Sequence, residues 1–420
     1  MFVAQAGPQT LTLEDALNLA DRNAFAILIQ QAAVEKQRQA VNQTNGTLGP
    51  TFSVGSVYTR NDSQATVNFN GNTVIVSPLQ TATATATVTL PIDISGNMHR
   101  LLRASKASLL AQRETLEASR NDTRRSVKTA YLAVLRAESQ AKVAQEAIAN
   151  ETERVRTTQA QFEHGTAAKI DVLTAQTQLS QSKSDLITAQ NAISVNKAAL
   201  NSALARPIKT PVDVVDQELS TPPNGDEDAL DGIAQNQRPE ALALLKTREA
   251  LAQIRRATEQ GLMPTLGLGV TYQRNIDAQG FGARSGVGVG TLTLNWPLYD
   301  SGQTRAKVKE ARQDEETARL QYEQLLNGIS LDVRQSFANL MNAKAKLDLA
   351  TDQVASAKEA LRLAKLKLDQ GEGIYLEVLN AQTSLTQAEQ GQVSARYDYL
   401  QALADLQHAV GSDTFGGGSK

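Results

Sequence analysis

The sequence predicts an α+β membrane protein: a trimeric 12-stranded β-barrel continued by a 12-helix coiled-coil α-barrel, with an internal two-fold repeat in each chain. Three observations predict it. Sliding the 420-residue chain along itself by 206 positions lays Pro91 on Pro297, Ser95-Gly96 on Ser301-Gly302, Gly165 on Gly371 and Ala175-Gln176-Thr177 on Ala381-Gln382-Thr383, without a gap. In each copy 69 positions separate two glycines, Gly96 from Gly165 and Gly302 from Gly371, and the amphipathic sequence between them contains no proline. Between prolines the period falls from helical to two: residues 81–90 read TATATATVTL, and 265–272 and 286–296 also alternate, as strands do.

Each copy reads as helix, two strands, long helix, turn and return helix. The first repeat covers residues 11–204, and its first helix over 13–44 places Ala16, Leu17, Ala20, Ile27, Leu28 and Val34 near helical spacing. A β-hairpin follows over 50–93, then a long helix over 96–164 and a return helix over 171–204. The linker 205–226 holds four of the eleven prolines and is expected to form an equatorial belt. The second repeat, 227–411, has its first helix at 227–258, a hairpin at 264–299, a long helix at 302–370 and a return helix at 374–410. Pro50 and Pro264 stop the first helices, whose counterparts are related by a shift of 214 because the hairpins differ in length. Residues 412–420 end in GGGSK and read as a tail with a linker remnant.

Lengths carry the argument further. At ~1.5 Å per residue each long helix reaches roughly 100 Å. The strands, about ten residues each, have the length a tilted strand needs to cross a bilayer. A two-stranded ribbon capping a coiled coil in water is the competing reading of the strands alone. Tyr58, Tyr272, Trp296 and Tyr299 near the strand ends suit an interfacial girdle. The return helices carry a heptad, Val172, Ala175, Leu179, Ser182, Leu186 onward and Val378, Ala381, Leu385, Ala388, Gln392 onward, whose alternation of large and small residues specifies close left-handed packing.

Composition excludes other classes. Aromatic residues make up 4%, too few for a compact interior of this size. A net charge of -2 supplies no field for nucleic acid. The chain has no cysteine, which removes disulfides, thiolate metal sites and an N-terminal lipidated cysteine. His99, His164 and His408 are scattered, so no metal site, cofactor or catalytic constellation is expected. No run of eighteen apolar residues occurs. Ala4-Gln5-Ala6 has the small-x-small pattern of a signal cleavage site, which reads as an exported chain whose signal has been removed. Four strands cannot close a barrel, and unpaired strand edges cannot face lipid, so a membrane role requires a homotrimer, whose copies supply twelve strands and twelve helices.

The paired segments FEHGTAAKIDVLTAQTQL (162–179) and LDQGEGIYLEVLNAQTSL (368–385), with NQRPEA (236–241), resemble the helix-hairpin tips and second-repeat opening of the TolC-like outer-membrane efflux family. The resemblance spans essentially 11–411. It implies a trimeric channel in the outer membrane of a Gram-negative-type bacterium, in contact with outer-membrane lipid and extending into the periplasm. Its implied partners are a periplasmic adaptor protein and an inner-membrane transporter, for efflux or secretion. Carried over by position, the adaptor-docking tips fall on His164, Gly165 and Thr166 and on Gln370, Gly371 and Glu372. The pore-constricting gate falls on Glu377, with Asp171 its first-repeat counterpart, and on Asn380, where the best-known member is acidic. That member's Tyr and Arg latch maps onto Leu368 and Gly373, so this latch is absent.

Several alternatives stay open at this point. Asp171 and Glu377 also suit plain helix N-terminal acids, and His164 an exposed turn residue. His99, Arg100, Arg103 and Lys106 fit either a lumen lining or a solvated face. A trimeric autotransporter or structural coiled-coil surface protein is the alternative function, although an autotransporter's four strands are contiguous at the C-terminus whereas here the two hairpins are far apart. An efflux adaptor would carry a single helical hairpin and a lipoyl-like domain, and the duplicated pattern fits neither.

Overall fold

The structure, a computed structural model, describes residues 9–69, 71–219, 226–276 and 284–411. The Ala4-Gln5-Ala6 pattern, the 412–420 tail and part of the linker, 220–225, lie outside the described residues.

In chain order the elements are β1 (Gln9–Leu11), α1 (Leu13–Asn23), α2 (Phe25–Gly46), β2 (Thr51–Arg60), β3 (Ala65–Phe69), β4 (Asn72–Ser77), β5 (Gln80–Ile92), α3 (Asn97–Glu163) and α4 (Lys169–Ala203). The second half supplies β6 (Val212–Val214), α5 (Glu227–Gln237), α6 (Pro239–Thr258), β7 (Thr265–Asn275), β8 (Gly286–Asn295), α7 (Gln303–Asp369) and α8 (Tyr375–Val410). The long helices α3 and α7 have 67 residues each. Each starts after a left-handed glycine, Gly96 at φ 72° and Gly302 at φ 87°, and under an aspartate. Asp93 accepts the backbone N–H of His99 at 3.0 Å, and Asp300 accepts those of Thr304 at 2.7 Å and Gly302 at 3.1 Å. These carboxylates satisfy amides that have no partner inside the helix.

Two expectations are corrected, and one feature is new. The first helix of each copy is broken once, at Ala24 and at Arg238, positions related by the same shift of 214. Arg238 precedes Pro239, whose ring excludes it from helical geometry, and it sits at φ -65°, ψ 124°. Ala24 takes nearly the same conformation, φ -59°, ψ 127°, with no proline behind it. Residues 50–93 hold four strands rather than two, because β3 and β4 form a small hairpin of their own beyond β2 and β5. Finally, the repeats are not the units of packing. One compact unit takes residues 1–32, 114–242 and 324–420, and the other 33–113 and 243–323, so each draws on both copies.

The smaller unit contains an antiparallel sheet in the order β2-β5-β7-β8, in which β5 of the first copy pairs with β7 of the second. Its register sorts the alternating side chains onto two faces. Across one face run rows such as Phe52, Val88, Val270 and Gly290, and also Leu90, Leu268 and Leu292. Across the other run Ser53, Thr87, Thr271 and Val289, then Thr51, Thr89, Gly269 and Thr291.

In the larger unit β1 pairs with β6 in parallel, joining the start of the chain to the linker. Tyr131, fully buried on α3, holds this ribbon: its hydroxyl lies 2.9 Å from the Leu11 carbonyl and 2.7 Å from that of Val215, and accepts the Val215 N–H at 3.0 Å. Asn201, also fully buried, donates to the carbonyls of Ile208 (3.2 Å) and Thr210 (2.8 Å), fixing the beginning of the linker. Helices α3 and α8 are tied by Arg125 to Asp405, Arg136 to Asp398 and His408 to Asp122, each at 2.8 Å. The C-terminus of α8 closes on Gly411, at φ 76°, where a Cβ would approach Arg238 Cγ to 3.2 Å. Arg238, in the NQRPEA segment, pairs with Asp332 at 3.1 Å and Glu240 at 3.3 Å.

Tyr131→Phe should destabilise the protein by about 1–3 kcal/mol, since two buried carbonyls and an N–H lose their common partner; faster amide exchange at Val215 checks the location. A second expectation concerns pH. Burial alone would raise the Asp93 pKa, but hydrogen bonds from His99 and Met98 outweigh it and hold the carboxyl below its ordinary value. A lowered carboxyl pKa contributes stability above the unfolded value, about 3.9, that is lost as pH falls through the folded one. The difference in melting temperature between wild type and Asp93→Asn should therefore shrink from pH 7 to pH 3 in thermal scans.

Candidate functional site

The two helical hairpins of the larger unit end in turns of the same construction. At the first, Gly165 at φ 74° follows α3, and the N–H groups of Thr166 and Ala167 return to the Gln161 carbonyl at 2.8 and 3.3 Å. At the second, Gly371 at φ 75° follows α7, and Glu372 and Gly373 return to the Lys367 carbonyl at 3.0 and 3.1 Å. This is the left-handed glycine cap that ends a helix while satisfying its last carbonyls. His164, Gly165, Gln370, Gly371 and Glu372 are exposed, and Thr166 is held by its hydroxyl on Gln161 O at 2.9 Å.

Behind each turn the return helix starts on an extended residue, Ala168 or Ile374. Asp171, at the third position of α4, accepts the Ala168 N–H at 3.0 Å, so this carboxylate caps its own helix. Glu377 occupies the same position in α8, with an exposed side chain, and Asn380 is exposed one turn on. One chain therefore places Asp171 at one tip and Glu377 with Asn380 at the other.

Below the tips the heptad forms the seam. Val172, Ala175, Ser182 and Leu200 are buried on α4, and the remaining positions of that heptad are half-buried. Between α7 and α8, Val354, Leu361 and Leu385 make a buried cluster backed by Ala357, Val378, Ala381 and Ala388. Residues as small as alanine at these places let the two helices approach closely.

Sequence reasoning missed a group that joins the two copies. Tyr375, the first residue of α8, brings its hydroxyl to 2.9 Å from Thr158 Oγ1 on α3, and Thr158 is fully buried. The Arg154 guanidinium stands 5.9 Å from the centre of the Tyr375 ring, at cation–π distance. Arg154 Nη1 donates to Glu151 Oε1 at 3.2 Å and lies 2.9 Å from Oε2, with 9% and 6% of the two side chains exposed. Arg154 Nε and Nη2 have no hydrogen-bond partner. Burial pushes the Glu151 carboxyl up, with Arg154 opposing, and burial likewise raises Tyr375 against the Thr158 hydrogen bond. A shift of 206 takes Glu151, Arg154 and Thr158 to Ala357, Ala360 and Ala364. That departure from the repeat, charge where the other copy has seam alanine, is the signal that would have found the group.

The sequence profile of the outer membrane efflux protein family matches residues 16–206 and 232–412, nearly all of both repeats. The chain belongs to this family. It is 26% identical over 328 residues to the outer membrane efflux protein BepC of Brucella suis biovar 1 (strain 1330), covering 74% of this chain and 68% of BepC. It is 29% identical over 189 residues to the outer membrane protein TolC of Escherichia coli (strain K12), covering 41% of this chain and 38% of TolC. Among solved structures CusC, described with a transmembrane channel, superposes with a TM-score of 0.81 at 18% identity, covering 95% of this chain and 92% of CusC, which shows a shared fold. The resemblance seen in the tip segments thus extends over the family's whole domain, and the surface-protein alternative falls away.

Removing one member of the buried pair leaves the other charged and unpaired. Glu151→Ala should cost about 3 kcal/mol, and Glu151→Ala with Arg154→Ala, the residues of the second copy, should recover most of it. Denaturant unfolding of the two variants beside wild type checks the difference.

Proposed function

We propose that three copies of this chain assemble into an outer-membrane channel-tunnel that carries cargo from a periplasmic adaptor and an inner-membrane pump to the outside. The observation that carries the reading is the four-stranded sheet with one apolar face and two open edges, β2 and β8. On β5 the apolar face runs from Ala82 to Ile92, with Arg274 of β7 beside Ala84 near one end, where a long cationic side chain reaches the interface. Ten steps at ~3.4 Å and a tilt of ~40° rise roughly 26 Å, against an apolar band of about 25 Å on membrane barrels. None of the described helices is long and apolar enough to cross a membrane, so the sheet is the element that meets lipid in this reading. Closure of the edges by two further copies satisfies the strand amides and gives twelve strands.

The four long helical segments of each chain would continue as a twelve-helix tube whose periplasmic mouth is formed by the tips. His164, Gly165 and Thr166 with Gln370, Gly371 and Glu372 are the proposed adaptor surface, supported by their exposure at the ends of the hairpins. Asp171, Glu377 and Asn380, repeated three times, are the proposed constriction. Crowded carboxylates there would favour cations at the mouth. The seam alanines and the Tyr375 group would keep it shut, in place of the absent Tyr and Arg latch.

Reconstituted in planar bilayers, the wild-type protein should form cation-selective channels, and Glu377→Gln with Asp171→Asn should lower that selectivity. Channels whose selectivity is unchanged in the double variant would leave Asp171 as a helix cap and Glu377 as an exposed acid of the first helical turn, and a protein without conductance would overturn the channel reading.

A further inference from the structure

The threonine-rich face of the sheet carries no charge. Among the described residues of β2, β5, β7 and β8 the only ionisable groups besides tyrosine are Arg60 and Arg274, and the register puts both on the opposite face, with Tyr58 and Ala84. The face itself is built from rows such as Gly55, Thr85, Gln273 and Val287. Several of its hydroxyls are turned inward to the sheet. Thr83 points at the Val57 carbonyl, Thr85 at that of Gly55 and Thr291 at that of Gly269, each at 3.4 Å across a strand pair. The hydroxyls of Thr87 and Thr271 hydrogen-bond to each other at 3.2 Å. A threonine whose hydroxyl is occupied in this way offers its methyl group and spare lone pairs to whatever lies above the sheet. The long helices of the same chain are by contrast densely charged on their exposed faces.

We infer that this face lines the outer-membrane section of the conduit as a neutral, weakly interacting wall, which passes cationic and anionic amphiphiles alike and leaves discrimination by charge to the helical section. The inference rests on the channel reading above, in which the apolar face meets lipid and the threonine face meets water. A wall without fixed charge creates no local potential to concentrate one sign of solute, and the hydroxyls already bonded within the sheet offer fewer donors on which cargo would stall before leaving.

The absence of cysteine from the chain makes the test direct. Thr85→Cys and Thr87→Cys on one face, and Ala84→Cys and Ala86→Cys on the other, are introduced singly into the full-length protein and reconstituted in phospholipid vesicles. Each is treated with a cationic and an anionic membrane-impermeant methanethiosulfonate of similar size, with rates normalised to those for a free small thiol. Both threonine positions should react, with the two normalised rates within about twofold of each other, while both alanine positions stay unmodified. A preference of about tenfold or more for one sign at Thr85→Cys and Thr87→Cys, with the alanine positions still protected, would overturn the neutral wall and leave the channel standing. Equal modification of all four positions would show both faces in water and overturn the channel reading together with the inference.

Discussion

The constraint on which the rest depends is the pair of open edges on the β2-β5-β7-β8 sheet. The pairs β2-β5, β5-β7 and β7-β8 each run in unbroken register over ten residues, whereas the outer rims of β2 and β8 have no partner among the described strands. In water such rims invite pairing, and in hydrocarbon they are not tolerated, which is why the channel proposed above closes the sheet with further strands. The duplication is the means of building it. Each copy contributes one hairpin, and β5 pairs with β7 across the boundary between copies over the ten residues from Thr83 to Ile92. Both copies then leave the sheet through a left-handed glycine and an aspartate cap into helices of the same 67 residues. Unequal helices would misplace one tip relative to the other, so the equal lengths keep the two turns level.

Much of this was legible because it depends on period and length. The alternation over 81–90 assigned threonine and alanine to opposite faces, and the observed register keeps them there. The heptad positions from Val172 to Leu200 are all buried or half-buried. What escaped had no local signature or a misread one. The break at Arg238 is written in Pro239, but the matching break at Ala24 is followed by Phe25 and has no breaker. The β3 and β4 hairpin does have a local mark, Gly71 at φ 80°, a single turn glycine inside a longer polar stretch. The Tyr375 to Thr158 bond joins residues 217 positions apart, and no window of sequence contains both.

The candidate site divides along the same line. The turns at Gly165 and Gly371 were legible as the ends of two prolineless stretches, and the capping role of Asp171 as an acid in the first helical turn. Asp171 already spends one oxygen on its own helix, and the exposed Glu377 does not bond within the described residues, so the two acids of the repeat are chemically unequal.

That inequality extends to the seams. In the second copy Val354, Ala357 and Leu361 pack against Val378, Ala381 and Leu385, an apolar seam that gains by closing tightly. In the first copy the place of Ala357 is taken by Glu151, buried beside Arg154 with part of the guanidinium unsatisfied. Burying such a pair is opposed by desolvation, and its worth over an apolar seam is small or negative. It therefore contributes geometry rather than stability: Arg154 is held under the Tyr375 ring, and the start of α8 is thereby fixed to α3 as well as to its own partner α7. The hydrogen bond and the cation–π contact are directional, so displacement of the second tip from α3 has to break them. Two hairpins of equal length are thus held differently within one duplicated sequence, the second by an apolar alanine seam and its tip to the first copy by Thr158 and Arg154.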